Sequence, residues 1–591
     1  MNLAAPPTPF HLILIKPSHY DDEGYVIQWV RSSIPSNTMA AIYGLALDCA
    51  EQQVLGSDVQ VSITALDETN TRIKPRQLID MIQQSGGHGL IAMVGVQTNQ
   101  FPRAMDLART FRRADLSVCI GGFHVSGCLA MLPTIPPDLQ EAMDEGISLF
   151  AGEVEGYVAK LLQDAYSGKL QPLYNVMTDP PGLEGQPVPY LPAHLVHRMS
   201  GARTSFDAGR GCPFLCSFCT IINVQGRTSR FRSPDDIEHL VRTNLAQDIH
   251  KFFVTDDNFA RNQAWEPILD RMIQLREEEH LQFTITIQVD TMCHKIPRFI
   301  EKAGRAGVDR VFIGLESINP DSLEGSRKHQ NKITEYRGML QAWHNVGALT
   351  LAGLILGFPT DTPESITRDI QIIQKELPID LLYFFILTPL PGSQDHKELY
   401  EQGVPLASDM NSYDSVHVTM PHIRMSESEL LQAYRCAWDT YYTPEHVETV
   451  IRRAKAWQFS MNKVKWMMLS FYAAATIEGV HPMDSGVFRR KYRRDRRVGL
   501  PAEHPMLFYA RYAWEILSKH LRYVALYVMF HRAYRHVLHG LRPGSDDAAM
   551  QPVRLEELDT LELFTATPAA QIVAEKIKKK KSKHVAVVPI L

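Results

Sequence analysis

The feature that most constrains the fold of this chain is the regular alternation of short apolar runs with amphipathic, helix-like segments. The first block of this alternation covers residues 10–165 and contains five strand candidates. Continuously apolar strands separated by helices are typical of parallel sheets that are buried on both faces. The block therefore predicts an N-terminal doubly wound, Rossmann-like α/β domain. Its strand candidates are FHLILIK (10–16), VQVSITAL (59–66), GLIAMVGV (89–96), LSVCIGG (116–122) and ISLFAGE (147–153).

The same alternation restarts after a stretch rich in Pro and Gly at 171–193 and continues to residue 388. Six βα units follow one another, which predicts a partial (β/α)6 barrel of the TIM-like type. Such barrels carry their chemistry on the loops that follow the C-terminal ends of the strands. The strand candidates are TSFDAGRG (204–211), KFFVTDD (251–257), FTITIQV (283–289), DRVFIGLE (309–316), TLAGLILG (350–357) and LLYFFILT (381–388).

Beyond about residue 425 the strand signals fade and the pattern becomes helical, so the predicted fold class is α/β with a C-terminal α-helical region. A chain of 591 residues also exceeds what one hydrophobic core usually serves. We predict a Rossmann-like domain at 1–170, a linker at 171–199, the barrel at 200–415, a helical domain at 416–545 and a basic, disordered tail at 546–591.

Residues 486–542 combine thirteen Lys and Arg with three Asp and Glu and are interleaved with aromatic side chains. Three interpretations are open: a solvated helix face, a peripheral contact with anionic lipid, and nucleic-acid binding, the last of which we do not expect. The N-terminus lacks a signal-peptide pattern, and the longest apolar run (466–477) is too short to span a bilayer. We therefore expect a cytoplasmic protein, either free or peripherally attached to a membrane.

Three cysteines lie close together in GRGCPFLCSFC (209–219), at Cys212, Cys216 and Cys219. The C-x3-C-x2-C spacing is followed by no fourth Cys or nearby His, which disfavours a structural zinc site. An iron–sulfur cluster with three protein thiolates fits better, because one iron then stays open to bind another molecule. The loop follows the first predicted strand of the barrel, where a barrel places its chemistry.

This spacing, with Phe218 before the third cysteine, resembles the signature of the radical S-adenosylmethionine (SAM) superfamily. In that family three cysteines hold a 4Fe–4S cluster, whose fourth iron binds SAM, and reduction cleaves SAM to a 5′-deoxyadenosyl radical. Further matches follow in order at VTDDNFARN (254–262), DRVFIGLES (309–317), TLAGLILGFPTDT (350–362) and TPLPGS (388–393), although the first lacks the usual Gly-Gly-Glu. The resemblance implies that SAM contacts Phe218, Asp256, Glu316, Ser317 and Gly357.

A doubly wound sheet ahead of this barrel resembles the cobalamin-binding domain of cobalamin-dependent radical SAM enzymes. The matching residues are GGFH (121–124) and GEVE (152–155), whereas the absence of G-x-G-x-x-G after the first strand disfavours NAD. The family's D-x-H-x-x-G loop for a cobalt ligand is absent, and His19 stands at a different spacing. The resemblance implies cobalamin contacts at Thr98, Asn99, Gly121, Gly122, His124, Gly152 and Glu153.

The implied cofactors are thus a 4Fe–4S cluster, SAM and cobalamin. The first functional hypothesis is a methyltransferase that methylates an unactivated carbon through a 5′-deoxyadenosyl radical and methylcobalamin. The second is an oxidative cyclase or rearrangement enzyme that uses both cofactors without methyl transfer, and the third is a cobalamin- or cluster-based sensor with a nucleic-acid-binding basic region. An enzyme of this kind needs an external one-electron reductant of the flavodoxin or ferredoxin type. The aromatic C-terminal region favours a bulky, lipidic small-molecule substrate. No catalytic acid or base can be assigned, and Tyr20, Asp290 and His294 are only polar candidates near strand ends.

Overall fold

The computed structural model describes residues 7–540, 547–551 and 560–585, with side chains up to residue 579. Its N-terminal domain is a six-stranded parallel sheet in the order β3-β1-β4-β5-β6-β7. All five predicted strands are present, and the edge strand β7 lies inside the segment predicted as a linker. The elements are β1 (Thr8–Lys16), β2 (Gln28–Ser32), α1 (Asn37–Glu51), β3 (Val59–Asp67), α2 (Pro75–Gln84), β4 (Gly89–Met93), α3 (Phe101–Arg112), β5 (Ser117–Gly121), α4 (Phe123–Met131), α5 (Pro137–Asp144), β6 (Ser148–Ala151), α6 (Val158–Tyr166), β7 (Leu173–Asn175) and α7 (Ala193–Val196).

Both faces of this sheet are buried, which explains why its strands are apolar throughout. On one face Ile13 and Ile15 of β1 pack with Phe111 of α3. On the other face Leu12 and Leu14 pack in the layer formed with α1 and α6. The sheet therefore has two apolar layers, an α3 side and an α1 side, and a ligand site can belong to only one of them.

The second domain is a six-stranded parallel sheet in the order β15-β14-β13-β12-β11-β8, in which consecutive barrel strands are neighbours. The six predicted strands are all present, so the predicted partial barrel is confirmed. A short antiparallel ribbon of β9 and β10 is added after the first strand. The elements are β8 (Arg203–Phe206), β9 (Gly209–Arg210), α8 (Ile221–Val224), β10 (Arg230–Phe231), α9 (Pro234–Leu245), β11 (Lys251–Val254), α10 (Trp265–Glu277), β12 (Thr284–Val289), α11 (Phe299–Arg305), β13 (Val308–Glu316), α12 (Pro320–Gly325), α13 (Tyr336–Asn345), β14 (Leu349–Leu356), α14 (Pro363–Glu376), β15 (Leu381–Ile386) and α15 (Gln394–Glu401).

The C-terminal region is largely helical, as expected, but part of it is a strand. Residues predicted as helical form β16, which pairs antiparallel with β2 of the first domain. The elements are α16 (Glu427–Tyr441), α17 (Pro444–Ala456), α18 (Met461–Ala473), β16 (Gly486–Arg490), α19 (Pro505–Leu538), α20 (Glu562–Thr565) and α21 (Pro568–Val585). Within the described residues, none of the helices is both long enough and apolar enough to cross a membrane.

The prediction of a disordered tail at 546–591 is wrong for the parts that the structure describes. Helices α20 and α21 pack onto the barrel and bury Leu563 and Phe564. The carboxylate of Glu376 accepts hydrogen bonds from the backbone N–H groups of Glu562 (2.7 Å) and Leu563 (3.0 Å), which fixes the start of α20. Residues 552–559 and 586–591 of the predicted tail lie outside the described residues.

The basic run at 489–497 is not a solvated helix face, because it belongs to β16 and the loop that follows it. Its cations are used within the chain, where Arg489 pairs with Asp21 (2.8 Å) and Arg497 pairs with Asp409. Lys491 pairs with the carboxylate of Glu515 at 3.0 Å. The run therefore joins the first domain, the barrel and α19, and most of the exposed large apolar side chains of the region lie on α19.

Candidate active site

The three cysteines lie in the loop 211–229, which is enclosed by the β9–β10 ribbon. Gly211 starts the loop with a φ of +95°, and a Cβ there would meet the carbonyl oxygen of Thr228 at 2.5 Å. The loop is fixed at its centre, because the N–H of Ser217 donates to the carbonyl of Ser326 and the carbonyl of Ser217 accepts from Asp395. Cys216 is buried and its two partner cysteines are half-buried. All three are free thiols, so the loop presents them as available ligands.

The surroundings of the cysteines suit sulfur that carries negative charge. Burial raises the pKa of Cys219 to about 12, so this thiol stays protonated unless a metal removes its proton. The buried ammonium group of Lys328 interacts favourably with Cys216 and Cys219, and the side-chain amide of Gln330 donates to the Cys216 sulfur at 3.4 Å. These residues fit a thiolate-bound cluster. Within the described residues no three or more His, Cys, Asp or Glu side chains are grouped to hold a single metal ion.

Lys328 also organises the predicted SAM residues, and it was not identified from the sequence. Its ammonium group forms an ion pair with Glu316 and lies 5.7 Å from the centre of the Phe218 ring. A Cβ on Gly314 would lie 2.9 Å from the Lys328 nitrogen, so the glycine leaves room for this pair. Phe218, Glu316 and Lys328 are therefore brought together beside the cysteine loop. Nothing in the spacing of Lys328, twelve residues beyond Glu316, marks it in the sequence.

The other predicted SAM residues have mainly structural contacts. The carboxylate of Asp256 accepts from the backbone N–H groups of Ala208 (2.7 Å) and Gly209 (2.8 Å) and thereby supports the start of the cysteine loop. Burial raises the pKa of Asp256 to about 7. The neighbouring Asp257 is the exposed carboxylate, and its charge contributes to the raised pKa of Cys219.

Ser317 and Gly357 lie at the ends of β13 and β14, where the barrel pattern placed them. The hydroxyl of Ser317 accepts from the backbone N–H of Asn319 at 3.0 Å. Gly357 has a φ of +94°, and its N–H donates to the carboxylate of Asp361 at 2.9 Å, which closes the turn after β14. Both residues thus shape the strand ends, and their contacts with SAM stay predictions.

A buried ionic cluster joins the cysteine loop to the first domain. Arg210, two residues before Cys212, pairs with Glu153 and Glu155 at 2.7 Å each. Arg230 on the facing strand of the ribbon pairs with Glu153 as well. We call this group of Arg210, Arg230, Glu153 and Glu155 the clasp. It turns the GEVE residues of the first domain towards the barrel, so the strand ends of the two sheets face each other.

A cavity of about 180 Å³ lies on the α1 side of the first sheet. Leu12, Leu90 and Phe150 contribute to its apolar walls, and Gly121, Gly122, Gly152 and Glu153 lie along it. We call this cavity the slot. A Cβ on Gly122 would come within 2.2 Å of the Val96 nitrogen, so this position requires glycine. A narrow apolar slot at the strand ends fits a flat aromatic group such as the tail base of cobalamin.

Comparisons with known proteins agree with this arrangement. The profile of the radical SAM superfamily matches residues 208–373. Residues 208–373 are therefore a radical SAM domain. Bacteriochlorophyllide d C-8(2)-methyltransferase of Chlorobaculum tepidum is 27% identical over 357 residues, which cover 58% of this chain and 75% of that protein. Hopanoid C-2 methylase of Rhodopseudomonas palustris is 26% identical over 343 residues, which cover 56% of this chain and 61% of that protein.

Among solved structures, the chain is similar to TsrM, a radical SAM methyltransferase from Kitasatospora setae with cobalamin and a [4Fe-4S] cluster bound. The TM-score is 0.50, with 16% sequence identity over 66% of this chain and 75% of that one, so the likeness is one of fold. Together with the relatives, it confirms the predicted resemblance to cobalamin-dependent radical SAM enzymes.

Three of the residues predicted to contact cobalamin do not line the slot. His124 lies on the α3 side, where it is hydrogen-bonded to Asp138 (2.8 Å) and packs against Phe101. Thr98 is buried with it, at 3.4 Å from the other ring nitrogen. Asn99 is buried next to Thr98 and is not a lining residue. Thr98, Asn99 and His124 lie after the expected strands, but they do not face the slot, and α4 turns the His124 side chain towards the α3 side of the sheet.

The remaining polar candidates are occupied by protein partners. His19 is buried and does not line the slot, so it gains no support as a cobalt ligand. The hydroxyl of Tyr20 donates to Asp106 (2.7 Å), and Asp290 pairs with Arg261 (2.7 Å). His294 lies 3.2 Å from Glu335. None of them is identified by these contacts as a catalytic acid or base.

Proposed function

We propose that the chain is a cobalamin-dependent radical SAM methyltransferase that methylates an unactivated carbon of a small molecule. The observation that carries this proposal is the clasp, which holds the cysteine loop of the barrel against the slot of the first domain. The two domains come into close backbone contact nearby, since a Cβ on Gly127 of α4 would meet the carbonyl oxygen of Pro391 in the barrel at 2.2 Å. Two cofactors held at these places would share one reaction space that excludes bulk water.

Separate groups of residues would hold the three proposed cofactors. Cys212, Cys216 and Cys219 would hold the 4Fe–4S cluster, and Phe218 and Glu316 would orient SAM beside it. The slot would hold the tail of cobalamin. When bound, the cluster supplies the electron that cleaves SAM to a 5′-deoxyadenosyl radical, and cobalamin carries the methyl group. The electron would come from a one-electron donor of the flavodoxin or ferredoxin type.

The proposal is tested by anaerobic reconstitution with iron, sulfide, cobalamin and SAM, followed by metal analysis and product detection. We expect about four iron atoms and one cobalt per chain, and 5′-deoxyadenosine after reduction. Cys216→Ala should lose the iron and the 5′-deoxyadenosine, whereas Cys436→Ala, at an exposed cysteine outside the loop, should lose neither. Full iron content without any bound cobalt would refute the pairing of cofactors.

S-adenosylhomocysteine formed together with a methylated product would distinguish the methyltransferase from a cyclase or rearrangement enzyme. A cyclase would form 5′-deoxyadenosine and a product of unchanged carbon count. A sensor would form no 5′-deoxyadenosine with any substrate.

The slot has its own test at α1. Thr38 is exposed at the mouth of the slot, so Thr38→Phe would cover it without disturbing the core. We expect this variant to lose cobalt while it retains iron. Glu51→Phe places the same side chain at the exposed end of the same helix and should retain both metals. Equal cobalt in the two variants would show that cobalamin lies elsewhere.

We further propose that α19 binds the surface of an anionic membrane. One face of this helix is buried through Phe508, Leu526 and Phe530. The opposite face exposes a second apolar stripe with helical spacing. Leu507, Trp514 and Leu521 in it are 69%, 67% and 61% exposed. Arg522, Arg532 and Arg535 are exposed on the same helix, a combination typical of helices that lie at a lipid interface.

If α19 contacts an anionic membrane, the protein should co-sediment with phosphatidylglycerol vesicles and bind them more weakly at high salt. It should bind phosphatidylcholine vesicles little. Trp514→Asp with Leu521→Asp should abolish binding. Ile423→Asp, which alters an apolar residue 78% exposed away from α19, should not. If the double variant instead converts a dimer into a monomer and vesicles never bind the wild type, the stripe is a contact between copies of the chain.

A further inference from the structure

A second and larger cavity, of about 1050 Å³, lies at the opposite end of the barrel from the cysteine loop. It is enclosed by the inner faces of the barrel strands and by α18, α19 and β16. Its volume is at the upper limit of ligand sites in proteins, which suits a bulky ligand. The walls are mostly apolar, and the strands contribute the side chains of Phe253, Phe312, Leu351, Tyr383 and Phe385.

Three cations lie in the wall of this cavity near the N-terminal ends of the strands. Arg203 of β8 and Lys251 of β11 are paired in register, and Arg310 of β13 is close enough to Arg203 to affect its charge. The Nε groups of Arg203 and Arg310 are buried and have no hydrogen-bond partner. Burial and the neighbouring Arg310 lower the pKa of Arg203 to about 10, and the charge of Asp309 offsets this only in part.

The carboxylates near these cations do not balance them. Asp309 lies 3.7 Å from Arg310 but is shared with Lys463 at 2.8 Å. Glu478 and Glu515, which also line the cavity, are both paired with Lys519 at 2.7 Å. The two half-buried guanidinium groups, whose Nε atoms are buried without a hydrogen-bond partner, make this wall suited to an anionic group supplied by a ligand.

The deep end of the cavity points towards the reaction space. Gln288 lines it, and the Gln288 amide donates to the backbone carbonyl of Asp256 at 3.4 Å, beside the cysteine loop. The rings of Phe312 and Phe385 would each lie 3.1 Å from a Cβ on Gly353, so the absence of a side chain there lets both rings enter the barrel. These rings form an apolar boundary between the cavity and the strand ends.

The outer end of the cavity opens onto exposed apolar side chains. Trp466, Met483, Val487, Phe488 and Ile516 line this opening and are exposed. Ile516 belongs to α19 and lies on the cavity-lining face of this helix, which points away from the stripe proposed to contact a membrane. The opening is therefore apolar and suits the entry of a bulky apolar molecule.

We propose that this cavity binds a bulky apolar molecule with one acidic group, a carboxylate or a phosphate, which Arg203 and Arg310 hold. The apolar body then extends along the barrel towards Phe312 and Phe385. That this amphiphile is also the substrate for methylation rests on the proposed function. The acidic group stays at the far end, so the carbon that meets the radical is an unactivated carbon of the apolar body.

The binding site is tested by equilibrium gel filtration of the full chain, reconstituted with its cluster and cobalamin, with three radiolabelled probes below their micellar concentrations. The probes are laurate, dodecyl phosphate and dodecanol. We expect laurate or dodecyl phosphate, or both, to bind at least about tenfold more tightly than dodecanol, as for hydrogen bonds to charged groups. The tighter of the two acids identifies the acidic group.

Variants separate the two parts of the site. The double variant Arg203→Gln with Arg310→Gln should bind the two acidic probes only as tightly as dodecanol. Arg310→Gln alone should lose part of the affinity for the acids. Leu351→Trp should weaken all three probes, because it fills the apolar part of the cavity. Arg305→Gln, at the same end of the barrel but outside the cavity, should change nothing. Equal binding of acid and alcohol by the wild type, or unchanged binding in the double variant, would overturn the proposal.

The outcome is independent of the proposed function. A chain that cleaves SAM but shows no preference for the acids retains the proposed function and loses this inference. A chain that binds the acids but never forms 5′-deoxyadenosine loses the proposed function and retains the site.

Discussion

The clasp predicts that one substitution will loosen the cysteine loop. Arg210 forms ion pairs with Glu153 and Glu155, and its Nε lies 3.2 Å from Asp207. Although burial alone would lower the pKa of Arg210, the surrounding carboxylates raise it well above its usual value. Arg210→Met retains the volume of the side chain and removes the charge. The carboxylates of Glu153, Glu155 and Asp207 then stay buried with one cation fewer to balance their charge.

The size of the effect follows from which carboxylate loses its partner. Arg230 still pairs with Glu153, and Arg232 still lies 3.4 Å from Asp207. Glu155 pairs with Arg210 and is nearly fully buried, so it becomes an uncompensated charge. Breaking a buried ion pair costs about 3–5 kcal/mol, and the partial compensation places the expected loss at about 3 kcal/mol. This corresponds to a roughly hundredfold increase in local opening.

Amide hydrogen exchange of residues 209–219 measures this local opening without assuming that the whole chain unfolds in one step. We expect roughly hundredfold faster exchange in Arg210→Met, and recovery of at least about tenfold when Glu155→Gln removes the orphaned charge. Arg109→Met breaks exposed ion pairs of α3 and should leave these residues unchanged. A change below about threefold in Arg210→Met, or no recovery in the double variant, would refute the role of the clasp.

Two further predictions concern the loop and the contact between domains. The Gly211→Ala variant should lose iron to a chelator faster than the Gly226→Ala variant. Both glycines have a positive φ, but only at Gly211 would the added Cβ meet a backbone oxygen, at 2.5 Å. Equal rates of iron loss in the two variants would contradict this prediction. Hydrogen bonds to Asp22 and Asp414 raise the pKa of His417 to about 10, so its stabilising contribution is complete below about pH 6.5 and is lost as the pH rises through 10. Thermal unfolding of His417→Gln should therefore show a smaller loss of stability between pH 6.5 and 10 than the wild type, and identical profiles would exclude this contribution.

The sequence predicted the parts of the fold that are encoded locally. Each parallel strand is buried on both faces, so it appears as a continuous apolar run, and eleven such runs became strands of the two sheets. The cysteine spacing is equally local, because one loop must supply all three thiols. Strand β7 was missed because three residues are too few to show a pattern.

The parts that were missed depend on contacts between distant segments. Strands β2 and β16 pair across more than 450 residues, and neither shows an apolar run because each is an edge strand with charged side chains. Lys328 contacts Glu316 and Phe218 only in the folded barrel, so the sequence alone does not show that it belongs to the site. Glu153 lies along the slot, and its contact with cobalamin stays a prediction, but the sequence did not reveal its pairing with Arg230, 77 residues away.

The two ends of the barrel have different physical requirements, and this explains why the chain needs its helical C-terminal region. At the cysteine end, the first domain packs so closely that backbone meets backbone at Gly127 and Gly392, where a Cβ would approach to 2.7 Å. Such close packing protects a radical from water but leaves little room for a bulky substrate to pass. The opposite end is held open by α18, α19 and β16 around a cavity of about 1050 Å³. In the proposed function, a substrate bound in this cavity would approach the cofactors past the rings of Phe312 and Phe385, without the clasp having to open.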